Sequence, residues 1–232
     1  MTRLTKKQLL FNLSMQIEAC GRCPYSSVRK NPIVGNGECR SPILIIGPSA
    51  RERDDRDGNA FDGRAKNKIN RMLARAGLNE AQVYQTYLIR CYPGREPNFG
   101  EFAAFNRCRM HTIQLMRVMK PIAVVICGLK AFKWMIIKWT REIVDKHTFY
   151  KWIGKSVRLK EIWGEIKFFI IESPAELSKA RNPEAEAKSI EILSMMKDHV
   201  SALQCGEPTA LEMVDLKRRA HTRVDQQRFS WD

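Results

Sequence analysis

Four strand-length runs rich in apolar and β-branched residues, separated by segments of helical period, constrain this chain more than any other feature. The runs are Ile43-Leu44-Ile45-Ile46, Val83 to Ile89, Ile122 to Ile126 and Phe168 to Ile171. Strands of this kind suit a sheet covered on both faces, which is normally parallel, and parallel neighbours need a crossover helix between them. The intervening segments supply those helices. Ala65 to Ala76 sets Ile69, Met72 and Leu73 at core spacing and stops at Gly77; a second helix, from about Glu101 to Met119, is closed by Lys120-Pro121. A third runs from Gly128 through Trp139 and a closing one from Pro183 to Leu203. The alternation predicts an α/β fold, a three-layer α/β/α domain over residues 1–205 with a central four-stranded parallel-type sheet. Ligands are then expected beyond the carboxyl ends of the strands, on loops beginning at Gly47, Tyr87, Gly128 and Glu172.

Before the first strand, Met1 to Ile17 reads as an amphipathic helix with Leu9, Leu10, Leu13 and Ile17 on one side, and Cys20 to Cys39 reads as an irregular loop rich in Pro, Gly, Asn and Arg. Gly47 to Gly63 reads as a long polar loop. No opening stretch has the order of a signal peptide, and the longest apolar run, Ile122 to Cys127, is far short of a membrane span. The expectation is a soluble, monomeric protein with no membrane partner, kept in the cytoplasm (of the host cell if viral), its cysteines reduced or metal-bound. Lys and Arg number 40 against 25 Asp and Glu, a formal charge of +15 with a pI near 9.7. That excess makes nucleic acid the expected partner. Residues 206–232 form a basic tail, with Lys217-Arg218-Arg219 and Arg223 close together; such a run is either a phosphate-binding arm or solvated surface.

Of the seven cysteines, Cys20 and Cys23 form a C-x-x-C pair on a loop, and Cys91 and Cys108 follow, separated by 16 residues. Four thiolates are what an iron-sulfur cluster or a structural zinc ion requires, since each iron or zinc takes tetrahedral sulfur ligation. The pair lacks the strand-turn-helix setting of a thioredoxin-like motif, and the set lacks the compact repeat of a zinc ribbon. Cys127 closes a core strand as a buried apolar thiol; Cys39 and Cys205 have no partner at metal spacing.

Taken in order, Cys20-x-x-Cys23, Ile45-Ile46-Gly47, Asp54-Asp55, Gly58, Phe61 and Gly63-Arg64-Ala65 resemble the first half of the iron-sulfur uracil-DNA glycosylases. Val83-Tyr84 with Arg90-Cys91, then Cys108, Pro121 to Gly128, Ser173-Pro174-Ala175 and Arg181-Asn182-Pro183 extend the resemblance to about Leu203. It implies a [4Fe-4S] cluster held by Cys20, Cys23, Cys91 and Cys108 beside an N-terminal helix and loop. It also implies double-stranded DNA as partner and a pocket for a flipped pyrimidine, stacked on Phe61. Three departures fall where the family does its chemistry. Pro48 stands for an acidic residue that handles water, Tyr87 for an asparagine that reads the uracil edge, and Ser173 for a histidine that stabilises the leaving base.

The same loops carry Ser49, Arg51, Asp62 and Glu172. Arginine suits phosphate oxygens and a carboxylate suits an amine. In this respect the sequence looks like a candidate amino acid:DNA transferase of viral thymine hypermodification, working on the 5-substituent of a phosphorylated 5-hydroxymethyluracil with a free amino acid as co-substrate. In that scheme Phe61 stacks the base, Tyr87 meets its edge, and Pro48 lines the pocket in place of the acid. Ser49 and Arg51 bind the leaving phosphate, Asp62 or Glu172 receives the amine, and Ser173 faces the reacting group. Two other readings stay open: a divergent glycosylase for uracil or a damaged base, with Asp54, Asp55 or Asp62 activating water, and a non-catalytic DNA-binding module.

Overall fold

The structure, a computed structural model, describes residues 4–94, 101–137, 146–158, 166–180, 182–205 and 214–215. Its sheet is built on β1 (Ile43–Ser49), β2 (Val83–Ile89) and β3 (Ala123–Cys127), joined by β4 (Ser156–Arg158), β5 (Lys167–Ile171) and β6 (Val214–Asp215) in the order β2-β1-β3-β5-β4-β6. The four strands read from sequence are the parallel core, with Ile43 opposite both Val83 and Ala123 and Val124 opposite Phe168. Every residue of β2, β3 and β5 is buried, which is why their composition is nearly continuous rather than alternating. Two short strands go beyond the predicted four: β4 is antiparallel to β5, and β6 lies parallel to β4. Three and two residues long, they leave no period to read. Apart from β6, the basic tail lies outside the described residues, as do Arg181 and the part of the Tyr92 to Gly100 connection beyond Gly94.

The helices are α1 (Lys6–Glu18), α2 (Glu52–Asp57), α3 (Arg64–Arg75), α4 (Glu101–Met119), α5 (Gly128–Phe132), α6 (Lys146–Tyr150), α7 (Pro174–Lys179) and α8 (Pro183–Cys205). A π-helical turn, Lys133–Ile137, continues α5. α1 opens with a capping box in which Thr5 and Gln8 bond each other's backbone, and it packs against α4. Only its second half is buried, through Leu13 and Ile17; Leu9 is 36% exposed and does not join the predicted apolar side. The segment from Gly47 to Gly63 also differs from the predicted loop, because β1 runs on to Ser49 and α2 follows. Glu52, Asp54 and Asp55 occupy the first turn of α2, where carboxylates face the positive end of the helix dipole, and Asp54 Oδ2 accepts the Arg51 N–H at 2.8 Å. Acids that read as loop polarity in the sequence therefore start a helix.

The cysteine-bearing loop is sewn to this segment. Asp55 accepts the N–H groups of Lys30 and Asn31, Asn31 Nδ2 donates to the Asp55 carbonyl at 2.6 Å, and Asn36 Oδ1 accepts the Ala60 N–H at 2.7 Å. Asn36 also bridges to Gln85 on the outer edge of β2. The loop thus ties the sheet edge to the turn that carries Phe61.

Candidate functional site

A cleft of about 500 Å³ opens beyond the carboxyl ends of β1, β3 and β5, where the strand order places it. β1 contributes Pro48 and Ser49, and Arg51 follows them; Gly128 and Lys130 come from the start of α5 after β3, Glu172 and Ser173 from the turn after β5. Five of the predicted site residues (Pro48, Ser49, Arg51, Glu172 and Ser173) therefore share one cavity. Sequence reading missed Lys130, Tyr150, Glu176 and Lys179, which also line it. Lys130 was findable, since it sits two residues into a loop already marked for ligands; nothing in the sequence singles out Tyr150.

The walls are held by short local contacts. Glu172 Oε1 accepts the Ser173 N–H at 2.6 Å, while the Glu172 N–H donates to Ser189 Oγ of α8 at 3.1 Å. Ser173 precedes α7 without capping it through its side chain. Gly128 lies against Ser173: a methyl group there would come within 2.8 Å of the Ser173 Cβ, and its φ of 83° already disfavours a side chain. Gly128→Ala is expected to destabilise the fold by about 1–3 kcal/mol and to push Ser173 outward, measurable by chemical denaturation. Two cations at the mouth hold loose partners, Arg51 to Glu176 at 3.7 Å and Lys179 to the same carboxylate at 3.4 Å, while Lys130 holds Glu101 closely at 2.6 Å; all three are exposed. Exposed pairs of this kind are worth little and exchange readily for another anion.

Phe61 and Tyr87 lie elsewhere than expected. Their rings stack on one another, with centroids 4.9 Å apart and planes 28° apart, and each residue is only 3% exposed. The Tyr87 hydroxyl accepts the Phe61 N–H at 2.9 Å and reaches the carboxylate of Asp54. Burial, with Asp54 adding to it, drives the Tyr87 phenol well above its ordinary range, so it stays protonated. Phe61 holds φ of 57°, and Gly47 brings the β1 backbone so close that a methyl there would meet the Tyr87 ring at 2.7 Å. The expected open face of Phe61 is thus covered in this structure. The Tyr87 ring is the stacking partner of Phe61 in this structure.

Asp62 is also separated from the cleft. It lines an adjoining depression of about 270 Å³, together with Tyr87, Arg53 and Arg64, and its carboxylate is engaged by Arg53 Nε at 3.0 Å. Asp54 and Asp55, considered as water activators, are buried and committed to backbone N–H groups: Asp54 to Arg51 and Asp62, Asp55 to Lys30 and Asn31. Burial raises the Asp54 carboxyl, and those N–H groups with the Tyr87 hydroxyl oppose the rise. Both acids organise backbone.

The cysteine site forms where α1 meets α4. Cys20 and Cys23 follow α1, Cys91 directly follows β2, and Cys108 projects from α4. Among the described residues no three or more Cys, His, Asp or Glu side chains are grouped to hold a metal ion. Cys91 and Cys108 nevertheless feel other thiols nearby. Burial pushes Cys91 up to about 11, with Cys108 and Cys23 adding to the rise and Arg29 opposing it; burial also raises Cys108, with Cys20 and Cys23 adding. Arg29 donates to Cys91 Sγ at 2.9 Å and to the Glu18 carbonyl at 2.7 Å.

Three arginines, Arg22, Arg29 and Arg90, gather here around His111. Arg90 is 1% exposed and gives Nη1 to the carbonyls of Ile33 and Val34 and to Thr86 Oγ1, yet its Nε and Nη2 have no partner among the described residues. The groups that oppose its charge are Cys108, Tyr84 and Cys91. His111 is held down to about 4 by burial, and then by Arg90, Arg22 and Arg29. A buried guanidinium beside converging thiols fits an anionic thiolate-ligated group, since an unpaired buried charge is otherwise strongly disfavoured.

Residues 34–194 match the family profile of the uracil DNA glycosylase superfamily. The chain belongs to that superfamily. It is similar to the type-4 uracil-DNA glycosylase of Pyrobaculum aerophilum, 31% identical over 119 residues that make up 50% of this chain and 59% of that protein. It is also similar to the type-4 enzymes of Thermotoga maritima, at 27% over 57% of this chain and 68% of the relative, and Archaeoglobus fulgidus, at 25% over 72% and 81%. The chain thus spans well under two thirds of the first of these relatives. Of the three positions flagged from sequence, Pro48 and Ser173 line one cleft, and Tyr87 is packed onto Phe61.

Proposed function

We propose that this superfamily member binds double-stranded DNA, draws a modified pyrimidine out of the stack, and processes it in the Ser173 cleft. The single observation behind this reading is the cleft's composition: Arg51, Lys130 and Lys179 at the mouth with Glu172 on the wall. Three exposed cations suit a base bearing an anionic 5-substituent. In its finer form the reaction transfers a free amino acid onto phosphorylated 5-hydroxymethyluracil. The amine nitrogen bonds to the 5-methylene carbon, and the carbon–oxygen bond to phosphate breaks, its electron pair leaving with the phosphate. Ser49, Arg51 and Lys130 hold that phosphate, and Glu172 takes the amine's proton. Asp62, paired with Arg53 in the next depression, is the weaker candidate for the proton.

Excision of uracil or a damaged base is the second reading, and kinship favours it: the superfamily match and the relatives' names point to glycosidic chemistry. Against it stand a proline at 48 and the commitment of Asp54 and Asp55 to backbone. Nucleoside mass spectrometry separates the two. Duplex carrying 5-phosphomethyl-uracil, incubated with amino acids, is expected to yield a new 5-substituted nucleoside and no abasic site. Alkali-labile sites in uracil duplex, with the phosphorylated duplex unchanged, would establish excision instead.

Cys20, Cys23, Cys91 and Cys108 would hold a [4Fe-4S] cluster, which when bound supplies a negative centre for Arg90 and fastens the end of α1 to β2 and α4. No helix among the described residues is long and apolar enough to cross a membrane.

A further inference from the structure

We propose that the groove running from the Ser173 cleft along the exposed face of α3 carries the phosphodiester backbone of one DNA strand, anchored by Arg64 and Arg71. This rests on the reading of the chain as a DNA-acting protein and adds which way the strand leaves the site.

Three depressions form one path. The cleft of about 500 Å³ shares Arg51 and Lys179 with the depression of about 270 Å³ beside Tyr87. That depression shares Arg64 and Ser178 with a third, of about 360 Å³, whose floor is Asn67, Lys68 and Arg71. Nothing apolar larger than Leu177 lines this last part, so it suits a charged backbone rather than a base.

The charge of the path is uneven, and the unevenness is informative. α3 reads RAKNKINRMLAR, five cations and no acid. Three of them are answered by neighbours: Lys66 by Glu80 at 3.1 Å, Lys68 by Glu186 at 2.9 Å and Arg75 by Glu186 at 3.8 Å. Arg64 and Arg71 have no acidic partner among the described residues, and both are exposed in the groove. Arg71 spends only its Nε, on the Asn67 carbonyl at 3.2 Å, which orients the guanidinium and leaves its terminal nitrogens available. Seven residues apart, the two arginines share a helix face at a separation of about 10 Å, close enough to meet nearby phosphates of one strand. Of the three α3 cations that line the groove, Lys68 is answered and Arg64 and Arg71 are not, whereas Lys66 and Arg75, which lie outside it, are both answered.

The test is binding of the full chain to duplex DNA by fluorescence anisotropy across a salt series. Each phosphate neutralised contributes about 0.9 to the slope of log K against log salt. The Arg64→Gln/Arg71→Gln variant is expected to bind more weakly than wild type, with a slope shallower by about 1.8, and Arg71→Gln alone by about 0.9. Arg75→Gln, which disrupts a pair with Glu186, is expected to leave the slope unchanged. Unchanged slopes in the Arg64 and Arg71 variants, or weaker binding at the wild-type slope, would overturn the proposal while leaving DNA binding intact. Absence of salt-sensitive DNA binding by the wild type would remove the underlying reading itself, and a preference for acidic polypeptide over duplex would assign the groove to a different partner.

Discussion

Replacement of Cys108 by alanine is expected to give anaerobically purified protein that is colourless and iron-poor, and less stable than wild type by about 3–5 kcal/mol. The magnitude follows from Arg90. Its guanidinium is fully buried, and the opposing groups around it are Cys108, Cys91 and Tyr84. Loss of a ligand that breaks up the anionic centre leaves that cation uncompensated, which is the costly way to break a buried charge interaction. The effect should travel. The loop after Cys23 bonds to Asp55 through Lys30 and Asn31, and Asn36 holds the Ala60 N–H next to Phe61. Hydrogen exchange at Ala60 and Phe61 is therefore expected to speed up in Cys108→Ala, although Phe61 belongs to the other site. Cys205→Ala, an exposed thiol at the end of α8, serves as the control and should keep iron, colour and stability. Full iron content in Cys108→Ala would refute the ligand set.

The elements legible in the sequence were those whose burial leaves a period. β1, β3 and β5 are covered on both faces, and composition alone outlines them. The cleft was legible through topology, because loops after parallel strands converge whatever they contain, while Pro48, Arg51 and Ser173 were singled out by the family resemblance. What the sequence hid depends on partners far along the chain. α2 is a charged hexapeptide whose acids read as a polar loop, and their role shows only with Lys30 and Asn31 in place. β4 is three residues added to the edge of β5. The pairing of Asp62 with Arg53 was equally hidden, since in sequence the acid looks free to face a substrate. Tyr87 is the sharpest case. Its position within β2 was readable, but whether its ring points to a ligand or onto Phe61 is settled by Gly47 and Asp54.

Tyr87 accordingly carries the second large expected effect. Tyr87→Phe keeps the ring on Phe61 and removes the hydroxyl, so the Phe61 N–H loses its acceptor and Asp54 a donor, both in buried surroundings. A loss of about 1–3 kcal/mol is expected by chemical denaturation. The loss should depend on pH. Burial holds the Asp54 carboxyl above its ordinary 3.8, and the Tyr87 hydroxyl is one of the groups opposing that rise. A carboxyl raised in the folded state favours folding below the unfolded pKa, and this contribution is lost as pH rises through the folded value. Removing the hydroxyl raises the folded value further, so Tyr87→Phe should lose more stability at pH 7 than at pH 4; an equal loss at both would mean that Asp54 does not sense this hydroxyl. Tyr87→Ala goes further, with an expected cost of about 3–5 kcal/mol and a flat slot between Phe61 and Gly47. A slot of that shape takes a planar ring, as emptied aromatic sites do. Free uracil at millimolar concentration is expected to raise the unfolding midpoint of Tyr87→Ala and to leave wild type unmoved. A midpoint equally indifferent to uracil in both proteins would show that the cavity collapses, and that Tyr87 does not stand in the place of a base.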